Sequence, residues 1–294
     1  MGCQDELREF LRSRRARLTP PDVGLPWRAN GRRVAGLRRE ELALAAGVSV
    51  DYYTRMEQGR IGNVSDQVLD AVGGVLRLDS EERRHLRELI KTRHAEAVAP
   101  VPTPVRPRAS LRMMLDMLDP VPAALYNAVL DVVAVNRMAK VIIHDFDAMP
   151  RAERNLTRWV FLDPKARSVF PDWEAFAVES AARLRGALSL CDNPRPRELV
   201  DELTACSPEF VRYWAAHRVT YCTYGTRRFH HPDVGVMTLN WESFAPTADP
   251  DLYLIVYTAA PSSPSAEKLC ALAGALGQPV AGGRDPVPPE ERLP

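Results

Sequence analysis

Apolar positions between Arg38 and Arg60 form two short helical stripes with a break between them. The apolar side chains spaced for helices on either side of the break are Leu42, Ala46, Val48, Tyr53 and Met56. Gly47 suits the positive-φ turn that joins two helices, and Ser49 is a good N-cap for the second. The pattern therefore predicts two helices joined by a tight turn.

Helical periodicity continues on both sides of this pair. Helices are predicted over three further stretches, residues 5–17, 63–76 and 79–94. The last of these opens with Asp79 and Glu82 at the spacing of a capping box. Residues 19–36 are rich in proline and glycine and are predicted to be a loop. The first part of the chain is thus predicted to be an all-α unit of five helices.

Period-two alternation appears later in the chain. Met237, Leu239 and Trp241 alternate with polar residues, as in a half-buried antiparallel strand. Five strands are predicted, over residues 123–126, 132–135, 219–229, 234–244 and 252–259. Helical stretches lie around them, at residues 110–118, 155–191, 207–217 and 265–276. Two strands, then helices, then three strands is the order of a PAS-like α+β domain with an antiparallel sheet.

A run of prolines separates the two parts. Pro100, Pro102, Pro104 and Pro107 favour an extended, semi-rigid spacer and exclude a helix. The predicted division is a first domain over residues 1–96, a linker over 97–107, a second domain over 108–278 and a loose tail over 279–294.

Composition is that of an ordinary globular protein, with 46% hydrophobic and 26% charged residues. No apolar run reaches the length of a membrane span and no signal peptide is evident, so the protein is expected to be cytoplasmic. The net charge of +1 is unevenly distributed. Residues 1–95 carry 18 basic against 14 acidic side chains, and the remainder 21 against 24. A basic first domain suits contact with phosphate.

Signatures of catalysis and of metal binding are missing from the sequence. It contains no G-x-S-x-G, H-E-x-x-H, P-loop or G-x-G-x-x-G motif, and its five cysteines are scattered. Adjacent His230 and His231 on a strand would point to opposite faces. We therefore predict neither an enzyme nor a metal or other cofactor.

The stretch ELALAAGVS, followed by E-x-G, combines apolar period, turn glycine and cap in the way of a DNA-reading helix-turn-helix. A plain helical hairpin is the alternative. The stretch resembles the helix-turn-helix of the xenobiotic-response-element/lambda-repressor-like family. The segments GLRREELA, SVDYYTRMEQGR and FHHPDVG make the chain similar to MmyB-like transcription regulators from about Leu7 to Leu272. This resemblance implies a DNA-binding domain followed by a PAS-like ligand-binding domain.

The second helix of the motif is expected to enter the major groove of double-stranded DNA. Val50, Asp51, Thr54 and Arg55 lie opposite the inward-facing side chains, and the family pattern places base contacts at Val50, Asp51 and Arg55. Arg55 suits guanine and Asp51 suits a cytosine amino group. A phosphate contact is the alternative for Arg55.

Further arginines are candidates for phosphate contacts. Arg38, Arg39 and Arg60 lie at helix ends beside the groove, and Arg32 and Arg33 in the loop extend the set. The family pattern also implies that a first-helix arginine, here Arg15, pairs with Glu57 at the end of the reading helix. A head of this size reads a short half-site, so a homodimer on a pseudo-palindrome is expected.

The candidate ligand pocket rests on the stretch SPEFVRYWAAH. Phe210, Tyr213, Trp214 and His217 fall on one side of a helix and are expected to face the sheet at Met237, Leu239 and Trp241. Phe161 and Tyr126 are weaker candidates for the lining. Plain core is the alternative. Through the resemblance, the expected ligand is a small hydrophobic molecule, with a carboxylate as one option. Two rival interpretations stay open: a second domain that only dimerises or binds protein, and an enzyme with a DNA-binding head.

Overall fold

A computed structural model of the chain describes residues 3–27, 34, 36–61, 64–91, 106–190, 194–249 and 251–277. The first unit contains the five predicted helices: α1 (Cys3–Ala16), α2 (Arg39–Ala46), α3 (Val50–Glu57), α4 (Asp66–Val75) and α5 (Ser80–Lys91). The predicted capping box opens α5, because Asp79 accepts from the backbone of Glu82 at 2.8 Å and Glu82 accepts from that of Asp79 at 3.2 Å. A short 3-10 helix, Pro20–Val23, lies in the predicted loop.

The first unit has its own apolar core, drawn from all five helices. Leu7, Phe10 and Leu11 of α1 are fully buried against side chains of α2 to α5. Val219, which is far from these helices in the sequence, also belongs to this core. The first domain is therefore packed against a segment of the second.

The second unit is the expected α+β domain. Its strands are β1 (Ala123–Asn127), β2 (Val132–Val135), β3 (Tyr224–His231), β4 (Gly235–Phe244) and β5 (Leu252–Thr258). They form one antiparallel sheet in the order β2-β1-β5-β4-β3. Its helices are α6 (Ala109–Met117), α7 (Arg137–Ile142), α8 (Leu156–Leu162), α9 (Lys165–Val169), α10 (Trp173–Leu190), α11 (Arg195–Cys206), α12 (Pro208–Trp214) and α13 (Pro264–Gly277).

The two faces of the sheet are covered differently. The inner face packs against α7 to α10 and α13 around a large aromatic core that contains Trp159, Phe170 and Tyr257. The outer face of β1, β2 and β5 packs against α6 through Leu111 and Leu115. The sheet residues considered below as ligand contacts lie on the inner face.

Two predicted boundaries were wrong. The strand predicted from Val219 begins at Tyr224, and the helix predicted to reach His217 ends at Trp214. Residues 215–223 between them, here called the docking segment, lie against the first domain instead. Helices α7 and α11 were not predicted; α11 begins in a proline-rich stretch, but proline is tolerated in a first helical turn.

Some predictions concern residues outside the described ones. These are Arg32 and Arg33, most of the linker at 97–107 and the tail at 279–294. Within the described ranges, no helix is long and apolar enough to cross a membrane. The same ranges hold no group of three or more His, Cys, Asp or Glu side chains arranged to bind a metal ion.

Candidate functional site

The turn before α3 has the predicted geometry. Gly47 adopts a left-handed conformation with φ of 67°, and the Ser49 hydroxyl accepts from the Tyr52 backbone at 3.1 Å. This fixes the start of α3 and buries Tyr53 and Met56 in the core of the first domain. The opposite side of α3 is consequently turned to solvent.

The predicted base-reading side chains lie on that outer side. Val50, Asp51 and Arg55 are exposed and Thr54 is half-buried. Asp51 and Arg55 form an i,i+4 ion pair, with Nε of Arg55 3.1 Å from the Asp51 carboxylate. The ion pair holds the Arg55 guanidinium along the helix surface. Breaking that pair would leave the guanidinium able to hydrogen-bond a base edge.

The predicted pairing of Arg15 with Glu57 is confirmed. The Glu57 carboxylate is fully buried and accepts from Nε and Nη2 of Arg15 at 3.1 and 3.3 Å. Arg39 also donates to Glu57, at 2.7 and 3.0 Å. Two arginines therefore compensate one buried carboxylate and connect α1, α2 and α3.

These contacts reduce the availability of the arginines that were predicted to contact phosphate. Arg39 is engaged by Glu57, so at most part of its guanidinium is open to phosphate. Arg38 pairs with Glu40 at 3.3 Å, and Arg60 is exposed just beyond α3.

The α12 stripe does not face the sheet, contrary to the expectation. Phe210 and Trp214 pack against α10 and α11 in a cluster of their own, stacked with ring centroids 5.3 Å apart. His217 lies beyond the end of the helix, in a left-handed conformation next to the first domain. The expectation failed because helical spacing gives the apolar side of a helix and not the element that it meets.

The remaining pocket candidates lie on the inner face of the sheet or beside it. Tyr126, Met237, Leu239 and Trp241 are buried there together. Phe161 and Tyr213 are partly buried between this core and the α12 cluster. Apart from His217, the predicted set is thus divided between two neighbouring clusters.

The inner face also carries polar groups near the predicted Tyr126, and the sequence reasoning missed two of them, Tyr257 and Arg227. The buried Tyr126 hydroxyl has no hydrogen-bond partner of good geometry and lies beside Tyr257. Burial raises the pKa of both tyrosines, and nearby Arg227 opposes that shift. The Arg227 guanidinium lies 3.7 Å from the Phe176 ring centroid and 2.6 Å from Glu179. Two tyrosine hydroxyls and an arginine in an apolar core are groups that can orient a polar ligand. The sequence signal that could have identified Arg227 is a charged residue at a strand position that faces the core.

Two clefts open to solvent on the same side of α10. One, of about 530 Å³, is lined by residues 171–175, Val178 and Arg218. The other, of about 450 Å³, lies between the domains and includes Arg17, Glu82 and Glu179. Neither is lined by the predicted sheet residues.

The docking segment fixes the second domain to α1 and α5. The Tyr221 hydroxyl donates to Glu88 at 2.8 Å and lies 3.0 Å from Nδ1 of His85, while its backbone N–H donates to Glu81 at 3.1 Å. Arg17 donates to the Ala216 carbonyl at 2.6 Å. With Val219 in the core of the first domain, these contacts hold the two domains together.

A buried ion pair lies at the centre of this interface. Arg185 of α10 contacts Glu6 of α1 at 2.5 Å, and both side chains are almost fully buried. Arg185 also donates to the Trp214 carbonyl at 2.8 Å and its guanidinium lies 3.8 Å from the Trp214 ring. No sequence pattern joins Glu6 to Arg185, which are 179 residues apart.

Two histidines at the interface are held neutral. Burial, with the charges of Arg185 and Arg14, lowers the pKa of His85 to about 3 and that of His217 to about 4. Protonation of either would place a further cation among arginines, so acid should weaken this junction.

Comparison with known families agrees with this arrangement. The family described as MmyB-like transcription regulator ligand binding domain matches residues 107–273, and the one described as helix-turn-helix domain matches residues 6–86. Neither description names a catalytic activity. A comparison with curated proteins gives no match. Because the first match alone covers more than half of the chain, the protein belongs to the MmyB-like transcription regulators, with a helix-turn-helix DNA-binding domain followed by a ligand-binding domain.

Proposed function

We propose that the protein binds a pseudo-palindromic operator as a homodimer, and that a small hydrophobic ligand bearing a carboxylate changes its operator affinity. The observation that carries the proposal is the position of the domain interface. The ligand-binding domain holds α1 and α5 through the docking segment and leaves Val50, Asp51 and Arg55 on α3 exposed. Regulation would therefore act by moving the two helix-turn-helix domains of the dimer relative to each other, and not by covering the exposed side of α3.

The DNA side of the proposal rests on α3. Arg55 would leave Asp51 for a guanine edge, while Val50 would contact a thymine methyl group. Arg38 and Arg60, with part of Arg39, would contact phosphates beside the groove. Arg32 and Arg33 are further phosphate candidates.

The ligand side rests on the inner face of the sheet. Met237, Leu239 and Trp241 would contact the apolar part of the molecule. Its carboxylate would meet Arg227 and the hydroxyls of Tyr126 and Tyr257. Arg227 already pairs with Glu179, so an incoming carboxylate would compete for the guanidinium.

A short physical route joins this face to the head. Arg183 donates to the Cys222 carbonyl in the docking segment at 3.0 Å, and its guanidinium lies 5.9 Å from the Trp241 ring. The docking segment leads directly into β3, which carries Arg227. A ligand that moves Trp241 or β3 would thus displace the segment that holds α1 and α5. The ligand shifts operator affinity only if it binds one arrangement of the two DNA-binding domains better than the other.

The DNA part is tested by selecting binding sites from random duplexes with the full-length protein. The expected result is a two-fold pseudo-palindrome whose half-sites are spaced by about 10 base pairs or a multiple of that. Recovery of a single unrepeated half-site would contradict the homodimer.

The ligand part is tested by thermal melting with straight-chain carboxylic acids and the matching alcohols. Acids should raise the melting temperature more than alcohols do, and Arg227→Met should abolish the difference. Arg228→Met is the matched control, because Arg228 is the next residue along β3, is exposed and pairs with Asp172. Equal stabilisation by acids and alcohols in wild type would refute carboxylate recognition.

A further inference from the structure

Helix α6 has apolar side chains on two opposite sides. Leu111 and Leu115 pack on the outer face of the sheet, whereas Met113 and Met117 are 61% and 77% exposed. A helix that is apolar on both sides normally lies between two layers. In the described part of this chain, α6 has only one such layer.

The outer face of the sheet beside α6 is also incompletely covered. Phe244 of β4 pairs in register with the buried Leu254 of β5, so both side chains lie on the outer face. Phe244 is nevertheless 52% exposed, and Tyr224, which pairs with Glu242 two residues before Phe244, is on the same face and 66% exposed. Half of this face is therefore packed under α6. The other half exposes mostly polar side chains, with the aromatic pair Tyr224 and Phe244 at one end.

These two exposed surfaces complement each other. We infer that a second copy of this chain covers them, with α6 of each copy lying against Tyr224 and Phe244 of the other sheet across a two-fold axis. Such an arrangement uses the same patch twice, as an isologous dimer requires. Exposed methionines suit the contact because they adapt to aromatic partners. The inference rests on the proposed function, which needs a dimer without identifying its interface.

The charges on α6 also favour a second copy. Arg112 and Asp116 are one turn apart and exposed on the same flank of the helix. When two α6 helices run antiparallel across a two-fold axis, Arg112 of each copy comes opposite Asp116 of the other. An anionic membrane surface is not favoured, because that flank carries one charge of each sign and no basic cluster.

The first test is sedimentation equilibrium of the full-length chain with Met113→Lys/Met117→Lys. The dimer dissociation constant should rise at least about 100-fold, as expected when two central contacts are lost. Val211→Lys is the matched control, because Val211 is an exposed apolar residue (44%) on α12, outside the patch. It should leave the dissociation constant unchanged.

The second test uses charge variants, which change no apolar contact. Arg112→Asp makes this flank of α6 acidic and Asp116→Arg makes it basic, so each variant alone should dimerise more weakly than wild type. Mixed together, the two should form heterodimers preferentially, which native mass spectrometry resolves by mass. A purely structural role of the Arg112–Asp116 pair within one helix would not produce heterodimers.

The outcomes separate the inference from the function on which it rests. A wild-type chain that remains monomeric, free and on its operator, would refute the proposed homodimer. A wild-type dimer that tolerates the methionine variants, with charge variants that mix at random, would overturn the α6 interface and leave the proposed function intact. If the methionine variant fails to fold by circular dichroism, the charge variants decide.

Discussion

At the scale of single residues, the first domain depends on how its charges are compensated. A carboxylate without access to water is tolerated only when cations or hydrogen-bond donors surround it. Glu57 meets that condition through Arg15 and Arg39, which form ion pairs with it at the C-terminal end of α3. Arg55 lies on the exposed side of the same helix and pairs with the exposed Asp51, so its guanidinium would have to leave Asp51 to contact DNA.

Arg55→Ala should weaken operator binding by about 1–3 kcal/mol, mostly against one base pair. Arg55→Lys separates the two roles considered for this side chain, because lysine keeps the charge but cannot bridge a guanine through two donors. Competition titrations with single-base operator variants measure both. If Arg55→Lys retains full discrimination, the contact is to phosphate.

Glu57→Gln should lower the free energy of unfolding by about 3 kcal/mol, because it leaves two arginines around a neutral amide. Urea unfolding measures the loss, and base preference should be unaltered in the folded fraction. Arg39→Ala is the milder comparison, since Arg39 is partly exposed and should cost about 1 kcal/mol or less. A Glu57→Gln protein of wild-type stability with a new base preference would contradict the structural role.

At the scale of elements, local patterns were sufficient wherever an element packs within its own domain. The turn at Gly47, the capping box of α5 and the alternation in β4 each specify local geometry, and these elements lie where they were predicted. Within the docking segment, residues 219–223 were predicted to be the start of a strand, and Val219 and Tyr221 do alternate with Thr220 and Cys222. Burial against another domain produces the same alternation as burial in a sheet, so the sequence could not distinguish them.

The fit of the docking segment can be tested at Gly186 of α10. A Cβ atom there would come 3.0 Å from the Tyr221 ring, which Glu88 and Arg84 hold in place. Gly186→Ala should therefore cost about 1 kcal/mol despite its better helix propensity. Hydrogen exchange should rise in residues 218–223 and in α5.

Gly274→Ala provides the control for that experiment. Gly274 is also helical, but an added Cβ there meets nothing within 4 Å. Its substitution should be neutral or stabilising by up to about 1 kcal/mol. Equal gains for both variants would show that Tyr221 is not tightly packed on α10.

At the scale of the whole molecule, two domains share one interface, and its key contacts are long-range. Glu6–Arg185 and His85–Tyr221 join residues that no local pattern relates. The sheet residues Met237, Leu239 and Trp241 could be predicted as inward-facing, whereas the packing of Phe210 and Trp214 against α10 and α11 could not. Packing direction depends on the relative placement of elements, which helical spacing leaves open.

The neutral interface histidines predict a specific pH dependence. A folded pKa of about 3 for His85, against about 6.5 when unfolded, gives stability that is complete above pH 6.5 and is lost as the pH falls toward 3. Between pH 7 and 5 the loss from His85 should be about 2 kcal/mol, and His217 adds a loss of the same sign. Chemical unfolding at each pH measures the slope, which His85→Gln should flatten. An unchanged slope in His85→Gln would mean that His85 is not held neutral.

The most direct test of ligand control is operator affinity, by fluorescence anisotropy, with and without a saturating amount of the tightest-binding acid. Wild type and Arg228→Met should change affinity by about 5- to 150-fold, a coupling of about 1–3 kcal/mol. At the same acid concentration Arg227→Met should show a smaller change, because it binds the acid no more tightly than the matching alcohol. Trp214→Ala, which removes the ring beside Arg185, should bind the acid and show a reduced change. An acid that saturates the wild-type ligand-binding domain and leaves operator affinity unaltered would contradict the account.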